Sequence, residues 1–121
     1  MFLSFITTAQ FDFGTYQVDV STWNNYKKAF DYQFTESETT IFSFEDDLTV
    51  FKVKGYADIH FITADIKVEG KKMIFTGIDS NLETAYIVID YDYNLIKIVI
   101  DIKGVTTLLS FYISTQLENN K

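Results

Sequence analysis

The chain contains no cysteine, no proline and no arginine. Without cysteine there is no disulfide framework, no thiolate nucleophile and no Cys-ligated zinc or iron–sulfur site. All ten basic residues are lysines. Arginine is the usual residue for gripping phosphate or carboxylate with two parallel hydrogen bonds, so its absence argues against nucleotide handling. The five glycines are dispersed, which leaves no phosphate-cradling loop. There is one histidine, His60. A lone histidine without cysteine builds neither an ordinary metal site nor a Cys–His pair, and no serine lies in a Gly-x-Ser-x-Gly elbow. No run of about 18 apolar residues exists, which excludes a membrane-spanning helix. The first residues, Met1-Phe2-Leu3-Ser4-Phe5-Ile6, lack the basic segment of a signal peptide, so a cytoplasmic location is expected.

What the 121 residues do contain is apolar and acidic. Hydrophobic residues make up 47% and include 12 Phe and 8 Tyr, enough for one domain over 1–121 with a sizeable core. Seventeen acids against ten lysines leave a net charge of −7. That sign disfavours nucleic acid and anionic membranes as partners.

Period-two alternation, the signature of strands with one buried face, runs through most of the sequence. In Tyr86–Ile102 a loop near Asp92-Tyr93-Asn94 would set Tyr91 opposite Ile96, Ile89 opposite Ile98 and Asp90 opposite Lys97. Lys103-Gly104 would pair Ile102 with Val105, Ile98 with Leu109 and Ile96 with Phe111. Upstream, Gly70-Lys71 suits a turn pairing Val68 with Met73 and Ile66 with Phe75. Gly55-Tyr56-Ala57 pairs Val53 with Ile59 and Phe51 with Phe61, and sets His60 opposite Lys52. Asp46-Asp47 closes Thr40–Glu45 onto Leu48–Lys54, and Asp79-Ser80-Asn81-Leu82 supplies another turn. Seven consecutive antiparallel strands are thus expected between Thr40 and Thr115.

Before them, residues 2–13 read as a strand turning at Gly14-Thr15 into Tyr16–Val20. Ser21 or Thr22 then resembles a helix cap, and Trp23, Tyr26 and Phe30 follow at helical spacing, which predicts one short helix near residues 22–31. A strand through Phe30, Tyr32 and Phe34 is its rival. Residues 117–121 read as a frayed tail.

The fold class is therefore mainly β: an antiparallel meander of about eight or nine strands, closing into a barrel or folding as a two-sheet sandwich. In length and strand count the chain resembles small lipocalin-like or fatty-acid-binding-like barrels. The Gly-x-Trp signature of a lipocalin's first strand is absent, since Ser21-Thr22 precede Trp23. No functional residue transfers from that likeness.

No enzyme is expected. Asp90 and Asp92 share a strand face about 7 Å apart, a spacing that could suit paired-acid chemistry, but they flank a turn with Lys97 as the partner of Asp90. Glu45-Asp46-Asp47 lacks the spacing of a calcium loop. No metal or cofactor is implied. Two functional readings remain. In a meander, alternate turns share an end, so the turns at Asp46-Asp47, Gly70-Lys71 and Asp92-Tyr93-Asn94 gather Glu45, Asp46, Asp47, Glu69, Asp90 and Asp92. Six acids against Lys71 and Lys72 make a local balance of −4. Such a rim suits a basic protein partner, as for an immunity protein or inhibitor. The alternative is a carrier of a small apolar molecule, lined by Phe42, Phe44, Phe51, Phe61 and Phe75. Outward apolar residues (Val88 with Val99, Leu108, and Leu95 beside Tyr112) further raise the prospect of a homo-oligomer.

Overall fold

The computed structural model describes residues 10–45 and 47–119, with side chains described for 13–45 and 47–114. Among the described residues nine strands follow one another: β1 (Gln10–Asn24), β2 (Ala29–Glu36), β3 (Thr40–Glu45), β4 (Val50–Lys54), β5 (Ile59–Glu69), β6 (Lys72–Ile78), β7 (Thr84–Asp90), β8 (Leu95–Ile102) and β9 (Val105–Asn119). Each of β3 to β8 pairs antiparallel with the next, and β1 pairs with both β3 and β9. Eight strands, β1 and β3–β9, therefore close into a barrel rather than a sandwich. β2 lies outside the closed ring, bonded to the far half of β1.

The predicted turn chemistry holds best where few alternatives exist. Lys103 and Gly104 both take positive φ, 52° and 84°, the conformation that lets a two-residue turn follow strand twist. The β8–β9 register is accordingly as expected, with Ile102 opposite Val105 and Ile96 opposite Phe111. The β4–β5 register also agrees, through Val53–Ile59, Lys52–His60 and Phe51–Phe61.

Elsewhere the loops are longer than expected. Residues 46–49 connect β3 to β4, so that Val50 rather than Leu48 opens β4, facing Glu45. Tyr91–Asn94 connect β7 to β8, and Ile89 faces Ile96 while Ile87 faces Ile98. Both shifts are by two residues. Parity survives, so the apolar face stays inside, but cross-strand partners change. Val88, not Asp90, lies opposite Lys97, and Val99 faces Tyr86 rather than Val88.

Two expected breaks in the chain are not breaks. β1 runs straight through Gly14 and Thr15. Its alternation fails there because the ladder to β9 shifts between Thr15 and Val18, moving the buried set from Phe13 and Thr15 to Val18 and Val20. Likewise no helix forms over residues 22–31. Asn24 Oδ1 accepts hydrogen bonds from the Tyr26 and Lys27 amides, Lys28 adopts φ 57°, and the chain reverses into β2. Trp23 and Phe30, seven apart, are cross-strand neighbours with ring centroids 5.2 Å apart. A four-residue loop and two helical turns place the same residues together, which explains the misreading. The rival strand through Phe30, Tyr32 and Phe34 is β2. Of the expected tail, residues 117–119 extend β9 and pair with Gln10–Asp12, and 120–121 lie outside the described residues. Residues 2–9 of the expected first strand lie outside the described residues.

The interior is a continuous cluster of Phe, Ile, Val and Leu side chains from the barrel strands. At about 25 cal/mol per Å² of apolar surface removed from water, each large side chain there contributes about 1.5–3 kcal/mol. No helix among the described residues is long and apolar enough to cross a membrane.

Candidate functional site

The β5–β6 and β7–β8 loops are joined at one end of the barrel, and the β3–β4 loop packs on the middle of β5. The Tyr91 amide donates to the Lys71 carbonyl at 2.9 Å. Thr63 of β5 donates from its amide to Thr49 O and from its hydroxyl to Leu48 O, at 3.0 and 2.5 Å. Of the expected rim acids, Glu69, Asp90 and Asp92 lie around the joined β5–β6 and β7–β8 loops, Glu45 and Asp47 flank the β3–β4 connection, and Asp46 lies outside the described residues.

Their circumstances differ. Asp47 is exposed and carries positive φ, 57°. Glu69 is exposed at the tip of β5, across from Lys72. Glu45 is half-buried and pairs with Lys52 at 2.9 Å, and exposed Asp92 stands 3.8 Å from Lys71. Asp90 is only 5% exposed, and its Oδ1 accepts from the Asp92 and Tyr93 amides at 3.0 and 3.3 Å. It shapes the loop and presents no carboxylate to a partner. Exposed ion pairs contribute about 0–1 kcal/mol each, so Glu45 and Asp92 remain open to exchange for other cations.

Sequence reasoning missed the apolar part of this end. Val68 is 70% exposed and Tyr93 73%, with Ile66 and Tyr91 also uncovered. Tyr91 leans on Phe13, ring centroids 6.1 Å apart, and partial burial pushes its phenol pKa upward. The missed signal is loop length: with the four-residue β7–β8 loop, Tyr91 leaves the ladder and becomes part of the end surface.

The five expected lining phenylalanines all point inward, at 0–4% exposure. Phe44 and Phe51 have centroids 4.8 Å apart, Phe51 and Phe75 5.3 Å, Phe44 and Phe75 5.5 Å, and Phe42 and Phe51 5.8 Å. Phe42 also meets Phe111 at 4.8 Å. Phe61 packs beside Gly77.

A polar chain on the outer wall was also invisible in the sequence, because its members are up to 93 residues apart. Tyr112 OH donates to Asp19 Oδ2 and Thr35 Oγ1 donates to Asp19 Oδ1, each at 2.6 Å, while the Tyr32 hydroxyl lies 2.6 Å from Thr35 Oγ1. These bonds, Thr35 first and Tyr112 second, hold the Asp19 carboxyl below its ordinary pKa. The same carboxylate pushes the Tyr112 phenol upward. The outer row Tyr86, Val99, Leu108 crosses β7–β9 nearby, and Leu95 faces Tyr112 as expected. His60, opposite Lys52, is exposed beside Lys54 and Asp58. Among the described residues no three His, Asp or Glu side chains converge as a metal site requires.

Compared with family models, curated proteins and solved structures, the chain matches none of them.

Proposed function

We propose that this chain is a cytoplasmic, non-catalytic interaction protein that binds a basic protein partner through the β3–β4, β5–β6 and β7–β8 end, in the manner of an immunity protein or inhibitor. One observation carries the reading: around the β5–β6 and β7–β8 loops, joined by the Tyr91–Lys71 bond, the exposed acids Glu69 and Asp92 flank uncovered Val68, Tyr91 and Tyr93. Apolar and aromatic side chains supply contact area, and surrounding charges steer encounter and choose the partner. A net charge of −7 adds long-range attraction for a cationic surface. The apolar-carrier alternative needs the lining phenylalanines to stand apart around a ligand, whereas Phe42, Phe44, Phe51 and Phe75 touch one another.

The test begins with a partner captured from the source cells and purified. The expected partner is basic, and its association rate falls steeply as salt rises from 0.05 to about 0.5 M, where screening shortens to about 4 Å. The triple variant Asp47→Lys, Glu69→Lys, Asp92→Lys should abolish binding, and Asp79→Lys with Asp101→Lys at the opposite end should not. Association indifferent to salt and to the triple reversal overturns the reading.

A further inference from the structure

The β5–β6 ladder carries an irregularity that the expected register did not contain. Ala64 faces Thr76, but three residues on Lys67 faces Ile74, so Asp65 and Ile66 together lie across from Phe75. Asp65 takes φ 55°, in the left-handed region. Glycine would occupy that conformation at least cost; aspartate tolerates it better than most residues and adds a carboxylate. A bulge of this kind re-aims side chains and parts the strands locally. Here it opens a groove of about 550 Å³, lined among others by Asp65, Ile66, Lys67, Ile74 and Tyr86. The Tyr86 side chain is half in solvent, at 51%. The Asp65 carboxylate makes no hydrogen bond or ion pair with any described residue.

We propose that this groove takes one lysine or arginine side chain of the basic partner, its stem along Ile74 and the Tyr86 ring and its cation at the Asp65 carboxylate. The proposal rests on the reading of the acidic end and deepens it. Four residues beyond Asp65 on the same strand, Glu69 belongs to that end, so a basic segment docked there continues down the wall into the groove. An aromatic face and a lone carboxylate in one apolar-walled groove complement a cation with an aliphatic stem. Lys67 lines the same groove and its charge opposes a bound cation.

The groove is tested without the partner, by titrating the isotope-labelled full chain with N-acetyl-lysinamide, N-acetyl-argininamide and the uncharged N-acetyl-norleucinamide, followed by NMR. The cationic probes should shift the Lys67, Thr76 and Tyr86 amides, and norleucinamide should bind about threefold to fivefold more weakly. Asp65→Asn, which keeps the left-handed tolerance, and Tyr86→Ala should each weaken the lysine probe by a similar factor. Lys67→Gln should strengthen it. Asp65→Gly should leave the melting temperature unchanged or raised while weakening the probe, separating the carboxylate from the backbone. Equal binding of lysinamide and norleucinamide, or an Asp65→Asn chain that binds lysinamide undiminished, overturns the groove and leaves the rim reading standing on its salt dependence. If the rim reading fails by its own triple reversal, probe shifts abolished by Asp65→Asn still support the cation groove.

Discussion

At Gly77 the barrel wall and its filling meet. A methyl group added there would sit 2.8 Å from Phe61 Cβ and 2.9 Å from Phe61 Cγ. Both partners lie in the packed interior, so the ring has little room to withdraw. Gly77→Ala should therefore cost about 1–3 kcal/mol in urea unfolding, as overpacking does. Phe61→Leu added to it should recover little of that loss, since leucine keeps the Cβ and Cγ that the new methyl meets. Full stability of Gly77→Ala alone would mean that the ring is less confined than its burial implies. The residue scale also accounts for how little of the polar detail was legible. Asp65 differs from an ordinary strand acid only in its backbone conformation, and nothing in Ala64-Asp65-Ile66 announces positive φ.

Among the elements, the β7–β8 hairpin shows how a side chain overrules a pairing rule. Charge pairing across strands favours Asp90 opposite Lys97, by about 0.2–1 kcal/mol. In the structure Asp90 instead faces Leu95 and accepts two loop amides while nearly buried. A nearly buried carboxylate left without donors costs at least about 1–3 kcal/mol, more than the surface pair returns. The four-residue loop follows from that difference. Asp90→Ala should lose about 1–2 kcal/mol on chemical denaturation, with Asp90→Asn, which keeps an acceptor, losing less. Neither should alter partner association, because Asp90 presents no carboxylate at the rim. The β1–β2 hairpin teaches the same lesson differently. Trp23, Tyr26 and Phe30 satisfy a helical period, and the choice of hairpin rests on Asn24 bridging two loop amides and on β1 having β9 to pair with.

For the whole molecule, closure depends on β1 and β9 finding each other across almost the full chain. Asp19 helps tie that seam, joining Thr35 of β2 and Tyr112 of β9 through β1. Its folded pKa lies below the ordinary value of 3.8. The ionised form is thus favoured by folding, and the resulting stability is present above the unfolded pKa and lost as pH falls through the folded one. The stability gap between the native chain and Asp19→Asn should be greatest near neutral pH and shrink steadily below pH 4 in thermal melts taken at each pH. A gap that stays constant down to pH 2 would show that the carboxylate charge contributes nothing there.

The sequence by itself determined the strand-rich class, the seven-strand meander from Thr40 onward, which side chains face inward, and the gathering of alternate turns at one end. Those follow from local rules: side chains alternate along a strand, and consecutive antiparallel strands must put their turns at alternate poles. Only the tertiary structure decided that β1 closes on β9, that residues 22–31 are a hairpin, that Asp90 is buried while Asp92 is not, and that Asp65 stands at a bulge beside Tyr86. These depend on contacts between residues far apart in the chain and on loop conformations whose energies differ by one or two hydrogen bonds, and a pattern of apolar and polar letters records neither.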